Sequence, residues 1–251
     1  MRRALAAAAV GLVAASLPGA ATGRGIGLSA SPLRVTLRGS AAATVTVRNP
    51  GRRALVVDVS RAGFARSLRG RPRVRPGRRT AAWLRFRPRR LRVAPGGRAV
   101  LHVSAAPSRR AEPGDHPALV LLTTRPLGRR RVRVRLRVGV VVDLRVPGRI
   151  VRRLDARALS VRRRGGSRLL GLLLVNRGNV TERLGEDGLR LVLSRNGRRF
   201  ATLRPRREEL LPRSRGVAEF AYRGPVHGPV DARIELRASI RGRRPTFRLR
   251  L

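Results

Sequence analysis

Apolar and polar residues alternate with a period of two along most of this chain, and Gly, Pro and Asn break the alternation roughly every 8 to 12 residues. In an extended strand such alternation puts the apolar side chains on one face and the polar ones on the other. Helical spacing is nearly absent. The pattern predicts strands near 33–37, 43–48, 55–64, 82–87, 99–105 and 118–124, and a long one over 130–146. A second series is predicted at 158–162, 168–176, 189–194, 199–203, 217–223, 230–239 and 246–251. Asn196-Gly197 is a two-residue hairpin signal. Residues 208–211, between Pro205 and Pro212, have room for one helical turn.

One pattern occurs twice. Thr44-Val45-Thr46-Val47-Arg48-Asn49-Pro50-Gly51 is answered by Leu91-Arg92-Val93-Ala94-Pro95-Gly96. Leu172-Leu173-Leu174-Val175-Asn176-Arg177-Gly178 is answered by Glu209-Leu210-Leu211-Pro212. A β-type run closes in an Asn-containing turn, and an apolar-x-Pro step later restarts one. Two copies imply two similar modules of about seven strands each. The expected fold is all-β: two tandem immunoglobulin-like β-sandwich domains.

Arg2-Arg3, the apolar run Ala4–Leu17, the Pro18-Gly19 break and the small residues Gly19-Ala20-Ala21 follow the order of a secretory signal peptide. The run is shorter than the ~20 apolar residues of a membrane-spanning helix. The expected division is a signal peptide over 1–23, a first sandwich over 24–148 and a second over 149–251. The boundary falls at Val146-Pro147-Gly148-Arg149. The expected location is outside the cell or on its wall, with no transmembrane helix in the mature chain.

The sequence has no cysteine, which excludes disulfides, thiolate metal sites and thiol nucleophiles. Its basic side chains are all arginine, and the formal net charge is +46. GC-rich coding accounts for arginine in place of lysine, but less well for the scarcity of acids. A surface this positive attracts phosphate polymers and anionic lipid headgroups. Without lysine there is no phosphate-binding P-loop and no Schiff base. His102, His116 and His227 are scattered without metal-ligand spacing. No catalytic motif is present, so the chain is read as non-enzymatic, with no cofactor and no metal.

Arg131, Arg133, Arg135 and Arg137 alternate with Val132, Val134, Leu136 and Val138. On one strand the four Arg would share a face at roughly 6.6–6.8 Å intervals. They are the candidate polyanion-binding residues; a solvent-facing row over a packed apolar face is the plainer reading. Further basic clusters, Arg71–Arg79 among them, read as solvated loops and strand ends. Asp143 follows the valine-rich part of the strand and needs a partner if buried. Arg145 shares its face, and an Arg on a neighbouring strand or at the domain junction is the alternative. Trp83 is either a core aromatic or a carbohydrate-stacking platform.

Ser31-Pro32-Leu33, Val47-Arg48-Asn49-Pro50, Trp83-Leu84, Leu91-Arg92-Val93-Ala94-Pro95-Gly96-Gly97, Glu112-Pro113-Gly114-Asp115-His116 and the valine-rich strand ending in Val146-Pro147-Gly148 occur in an order that resembles a known family. Residues 29–148 resemble the first domain of PapD-like periplasmic pilus chaperones. They are more closely similar to the related Ig-like domain of WxL-interacting cell-surface proteins. The WxL resemblance implies peptidoglycan binding. The chaperone resemblance implies donation of the last strand of the first domain to a subunit's open sheet, with Val132, Val134, Leu136 and Val138 as the strand-addition edge. The leading expectation is therefore an exported envelope protein that binds an anionic cell-wall polymer (peptidoglycan or teichoic-acid-like) or a surface protein. The alternative is a chaperone or assembly factor for surface or pilin-like subunits, acting by strand addition. No small-molecule substrate is expected, and export and the few aromatics argue against nucleic acid.

Overall fold

A computed structural model of the chain describes residues 27–75, 79–126, 133–185, 188–206 and 209–251. The predicted signal peptide lies outside the described residues. The first half carries β1 (Ser29–Ser31), β2 (Arg34–Arg38), β3 (Ala42–Arg48), β4 (Leu55–Arg66), β5 (Pro72–Arg75), the single turn α1 (Arg79–Ala82), β6 (Leu84–Arg87), β7 (Arg90–Val93), β8 (Arg98–Ala105), β9 (Gly114–Thr124) and β10 (Arg137–Val146). One sheet has the order β1-β3-β8-β6; the other is β2-β10-β9-β4-β5, with β7 also paired to β4. Every pairing here is antiparallel except that of β2 with β10. Alternate residues of both sheets meet in one core. Val45 and Val47, Leu101 and Val103, Val120 and Leu122, and Val140, Val142 and Leu144 are fully buried in it. Each such side chain contributes about 1.5–3 kcal/mol on burial.

The second half carries β11 (Leu154–Arg164), β12 (Ser167–Asn176), β13 (Glu182–Arg183), β14 (Leu189–Arg195), β15 (Arg198–Leu203), β16 (Glu209–Leu210), β17 (Arg215–Tyr222), β18 (Pro229–Leu236) and β19 (Phe247–Arg250). Sheet β11-β12-β17 packs on sheet β15-β14-β18-β19 through Leu170, Leu172, Leu174, Leu191, Leu193 and Phe220. The β14–β15 hairpin turns at Asn196-Gly197, both with positive φ, as the dipeptide predicts. The chain is all-β, two sandwiches in tandem.

The repeated sequence pattern has one physical cause. Asn49 Nδ2 donates to the carbonyls of Arg53, Val93 and Ala94, and its Oδ1 accepts the Gly51 N–H. Asn176 Nδ2 donates to the carbonyls of Val180, Leu210 and Leu211, and its Oδ1 accepts the Gly178 N–H. Each buried amide ties a strand end to the two carbonyls just before a proline. That is why Asn and the apolar-x-Pro step travel together.

Three expectations change. Of the strand predicted over 130–146, residues 130–132 lie outside the described residues, and among the described ones β10 begins at Arg137. The 208–211 segment is not helical where described, because Glu209–Leu210 is drawn into a two-residue ladder with Glu182–Arg183. The predicted 82–87 strand starts at Leu84, because residues 79–82 form a helical turn.

Candidate functional site

The chain changes sheets at Pro32. Before it, β1 pairs with β3; after it, β2 runs parallel to β10. This switch leaves β2 alongside only part of β10, Val141–Arg145. The Val141 N–H donates to the Leu33 carbonyl at 2.9 Å, and the Arg145 carbonyl accepts from Gly39 at 3.0 Å. The backbone groups of odd-numbered residues in β10 therefore point toward β2. Those of Arg137 and Gly139 point the same way but lie beyond its reach. Among the described residues no strand pairs with them on that side. The opposite edge of β10 is paired with β9 along its whole length. The result is a short open edge on a strand otherwise buried in its sheet.

Of the predicted site residues, Arg131 and Val132 lie outside the described residues. Arg133, Val134 and Arg135 precede β10 and are exposed, Val134 to 37%. Leu136 is half-buried, and its N–H goes to the Thr124 hydroxyl at 3.0 Å rather than to a backbone carbonyl. The Leu136 carbonyl still accepts the Thr124 N–H at 2.9 Å, so one backbone bond continues the β9 pairing just ahead of Arg137. Of the three described members of the predicted arginine ladder, Arg137 lies in β10, whereas Arg133 and Arg135 precede it. Val138 is half-buried against the first core, on the same face as Val140 and Val142. Trp83 is half-buried against that core, and its ring meets His116 edge-on with centroids 5.0 Å apart.

The same sheet meets the second domain through its outer face. Leu211 packs into a cluster with Ala62, Phe64, Leu119 and Leu121, with Val141 against it. Glu209, nearly buried, accepts two 2.7 Å bonds from the Arg34 guanidinium and pairs also with Arg66. Burial pushes its carboxyl up, but the two guanidinium groups outweigh this and hold it below the usual range. Asp143 pairs with Arg34 at 3.1 Å, on the neighbouring strand, rather than with Arg145. Here burial wins: the Asp143 carboxyl is raised despite Arg34, and the nearby Glu209 and Asp115 charges add to the rise. Arg145 pairs instead with Asp115, whose second oxygen accepts the Thr181 N–H at 2.8 Å. Asn179 donates to the carbonyls of Pro113 and Arg149. Gly114, at φ 121°, allows this approach, since a Cβ there would overlap the Asn179 carbonyl.

Three cavities flank the junction, one of them, about 360 Å³, beside the Glu209 clamp. The largest, about 1050 Å³, lies between the domains and is lined by Arg71, Arg73 and Arg75 on one wall and Arg213 and Arg215 on another. The smallest, about 310 Å³, holds the buried Glu182, whose oxygens have no hydrogen-bond partner among the described residues. Burial raises its carboxyl, and Arg152 at 3.7 Å offsets this only in part. Among the described residues no group of three or more His, Asp or Glu could hold a metal. No described helix is long and apolar enough to cross a membrane.

The largest cleft has a signal in the sequence that reads equally well as a solvated loop. Arg71-Pro72-Arg73-Val74-Arg75 alternates like a strand, and Pro is compatible with a strand's first residue. The Glu209 clamp has no such signal, since its partners lie far away in sequence.

A chain from a chaperone–tip adhesin complex of CFA/I fimbriae biogenesis superposes with a TM-score of 0.50 at 8% identity, covering 88% of this chain and 98% of that one. The fold is that of the PapD-like pilus chaperones. The E. coli chaperone DraB gives a TM-score of 0.46 at 14% identity, over 90% of this chain and 99% of that one. The Pseudomonas aeruginosa CupB2 chaperone gives 0.45 at 16%, over 89% and 100%. No protein-family model matches the sequence, and no curated protein matches it.

Proposed function

We propose that this chain is an exported, non-enzymatic assembly factor that holds a surface or pilin-like subunit by strand addition to the open edge of β10. The observation that carries the reading is the unpaired edge at Arg137 and Gly139, left by the sheet switch at Pro32. An incoming extended segment would take up these backbone groups, while Val134 and Val138 supply apolar contact at alternate positions. The shared fold supports the reading, because the structure at a TM-score of 0.50 comes from a complex of a chaperone with a tip adhesin. The cell-wall reading had two supports in the sequence: the WxL-type resemblance and the 131–137 arginine ladder. Nothing on the β10 edge speaks for peptidoglycan, and the described part of the ladder is not a regular strand.

The test is amide hydrogen exchange on the mature chain, with and without a co-produced pilin-like subunit. Protection should appear at Arg137 and Gly139. Exchange that stays unchanged there while a complex forms would overturn the reading. Gly139→Pro removes one N–H from the open side without touching the β9 ladder, and a side chain at 139 would meet only Leu119 and Leu121 at 3.6 Å. It should abolish capture.

A further inference from the structure

The interdomain cleft carries an arginine row of its own, on the opposite edge of the sheet that contains β10. β5 is the last strand in the order β2-β10-β9-β4-β5 and, among the described residues, pairs only with β4. Arg71, Arg73 and Arg75 line the cleft, whereas the intervening Pro72 and Val74 do not. Alternation along the strand therefore aims the guanidinium groups into one concavity at roughly 6.6–6.8 Å intervals. Arg213 and Arg215 face it from the second domain.

Among the described residues no carboxylate pairs with Arg69, Arg71, Arg73, Arg75 or Arg215. The two acids that line the cleft are already engaged. Glu112 pairs with Arg213 at 2.6 Å, and Asp115 pairs with Arg145 and the Thr181 amide. Elsewhere arginines at the junction do have partners, as Arg34 and Arg66 have Glu209. A concave wall of one sign focuses the field and concentrates counter-ions. Unpaired guanidinium forks bind phosphate oxygens two at a time.

We propose that this cleft binds an anionic phosphodiester polymer. A row of three arginines at even intervals, faced across a gap by Arg215, calls for charge that recurs along a chain rather than a single anion. A phosphodiester supplies one charge per unit. The site does not depend on the strand-addition reading. It lies three strands from the open edge of β10, roughly 14–15 Å at sheet spacing, so polymer and subunit could be held together.

The experiment is binding of fluorescent poly(glycerol phosphate) to the mature chain over a salt series, with polyglutamate as the comparison. Arg71→Gln, Arg73→Gln and Arg75→Gln combined should weaken binding about tenfold or more and lower the slope of log K against log salt by about 2. Removing the same charge from exposed arginines of the second domain, as Arg163→Gln, Arg164→Gln and Arg198→Gln, should weaken it less than about threefold and leave most of the slope. An independent variant, Arg69→Gln with Arg215→Gln, should behave as the first does. Gly139→Pro should leave polymer binding unchanged. Equal losses for the cleft and control triples would show diffuse attraction only and overturn the proposal. Tighter, cleft-dependent binding of polyglutamate would overturn it in favour of an acidic polypeptide.

Discussion

Asn49 and Asn176 are buried amides that serve three carbonyls each, and nothing else in the chain could replace them at those points. Alanine at either position leaves buried acceptors without donors, at about 1–3 kcal/mol for each group that water cannot reach. Asn49→Ala and Asn176→Ala should each lower stability by roughly 3–5 kcal/mol, read from urea unfolding. Glu209 belongs to the same scale but answers to pH. Its carboxyl is lowered, so its stabilisation is present above the ordinary glutamate value of about 4.3 and is lost as pH falls through the lower folded value. Glu209→Gln should cost about 1–2 kcal/mol at neutral pH, because both arginines remain partly solvated, and it should remove this acid-sensitive limb from the stability profile. Asp143 runs the other way. Its raised carboxyl weakens the fold as pH climbs past the ordinary aspartate range, so Asp143→Asn should be neutral or slightly stabilising at pH 7.

At the scale of the strand, the two edges of β10 differ: one is paired with β9 throughout, the other with β2 only over Val141–Arg145. Val140→Pro would break the ladder with β9 inside the core and should unfold the first domain, whereas Gly139→Pro should leave its melting temperature nearly unchanged. Thermal unfolding of the two variants separates these outcomes. The strands with a buried apolar face were legible from alternation alone. The short β1, β5 and β7 were not, because three or four residues are too few for alternation to stand out, even in β7, where Leu91 and Val93 are buried. Of the arginine row predicted over 131–137, only Arg137 falls in β10 among the described residues. Arg133, Val134 and Arg135 alternate as well as any strand, yet they precede β10, and the Leu136 N–H goes to the Thr124 hydroxyl while its carbonyl accepts the Thr124 N–H. In Arg71-Pro72-Arg73-Val74-Arg75 the pairing with β4 makes the alternation real. Local pattern allows a strand; only a neighbour with free backbone groups makes one. Partnerships such as Glu209 with Arg34 span so much sequence that no local pattern encodes them.

Across the whole molecule, electrostatic repulsion governs behaviour outside the two cores. At +46 the chain repels itself in the compact state. Screening shortens the reach of that repulsion from about 30 Å at 0.01 M salt to about 8 Å at 0.15 M. The melting temperature should therefore rise over this range, and calorimetry in sodium chloride checks it; a flat or falling trend would contradict the expectation. The second domain is fastened to the first by apolar, ionic and backbone contacts together: Leu211 against Phe64, Glu209 on Arg34 and Arg66, and the Val217 amide on the Leu68 carbonyl at 2.7 Å.

The sheet change at Pro32 also sets an order of assembly. β2, near the beginning of the chain, finds its sheet partner only in β10, near the end of the domain. If the polypeptide is threaded outward from its amino end, that early segment must wait, unzipped, until Val141–Arg145 has emerged. Fragments that stop short of Val141 should stay open to proteases along β2, and fragments that run past Val146 should resist them.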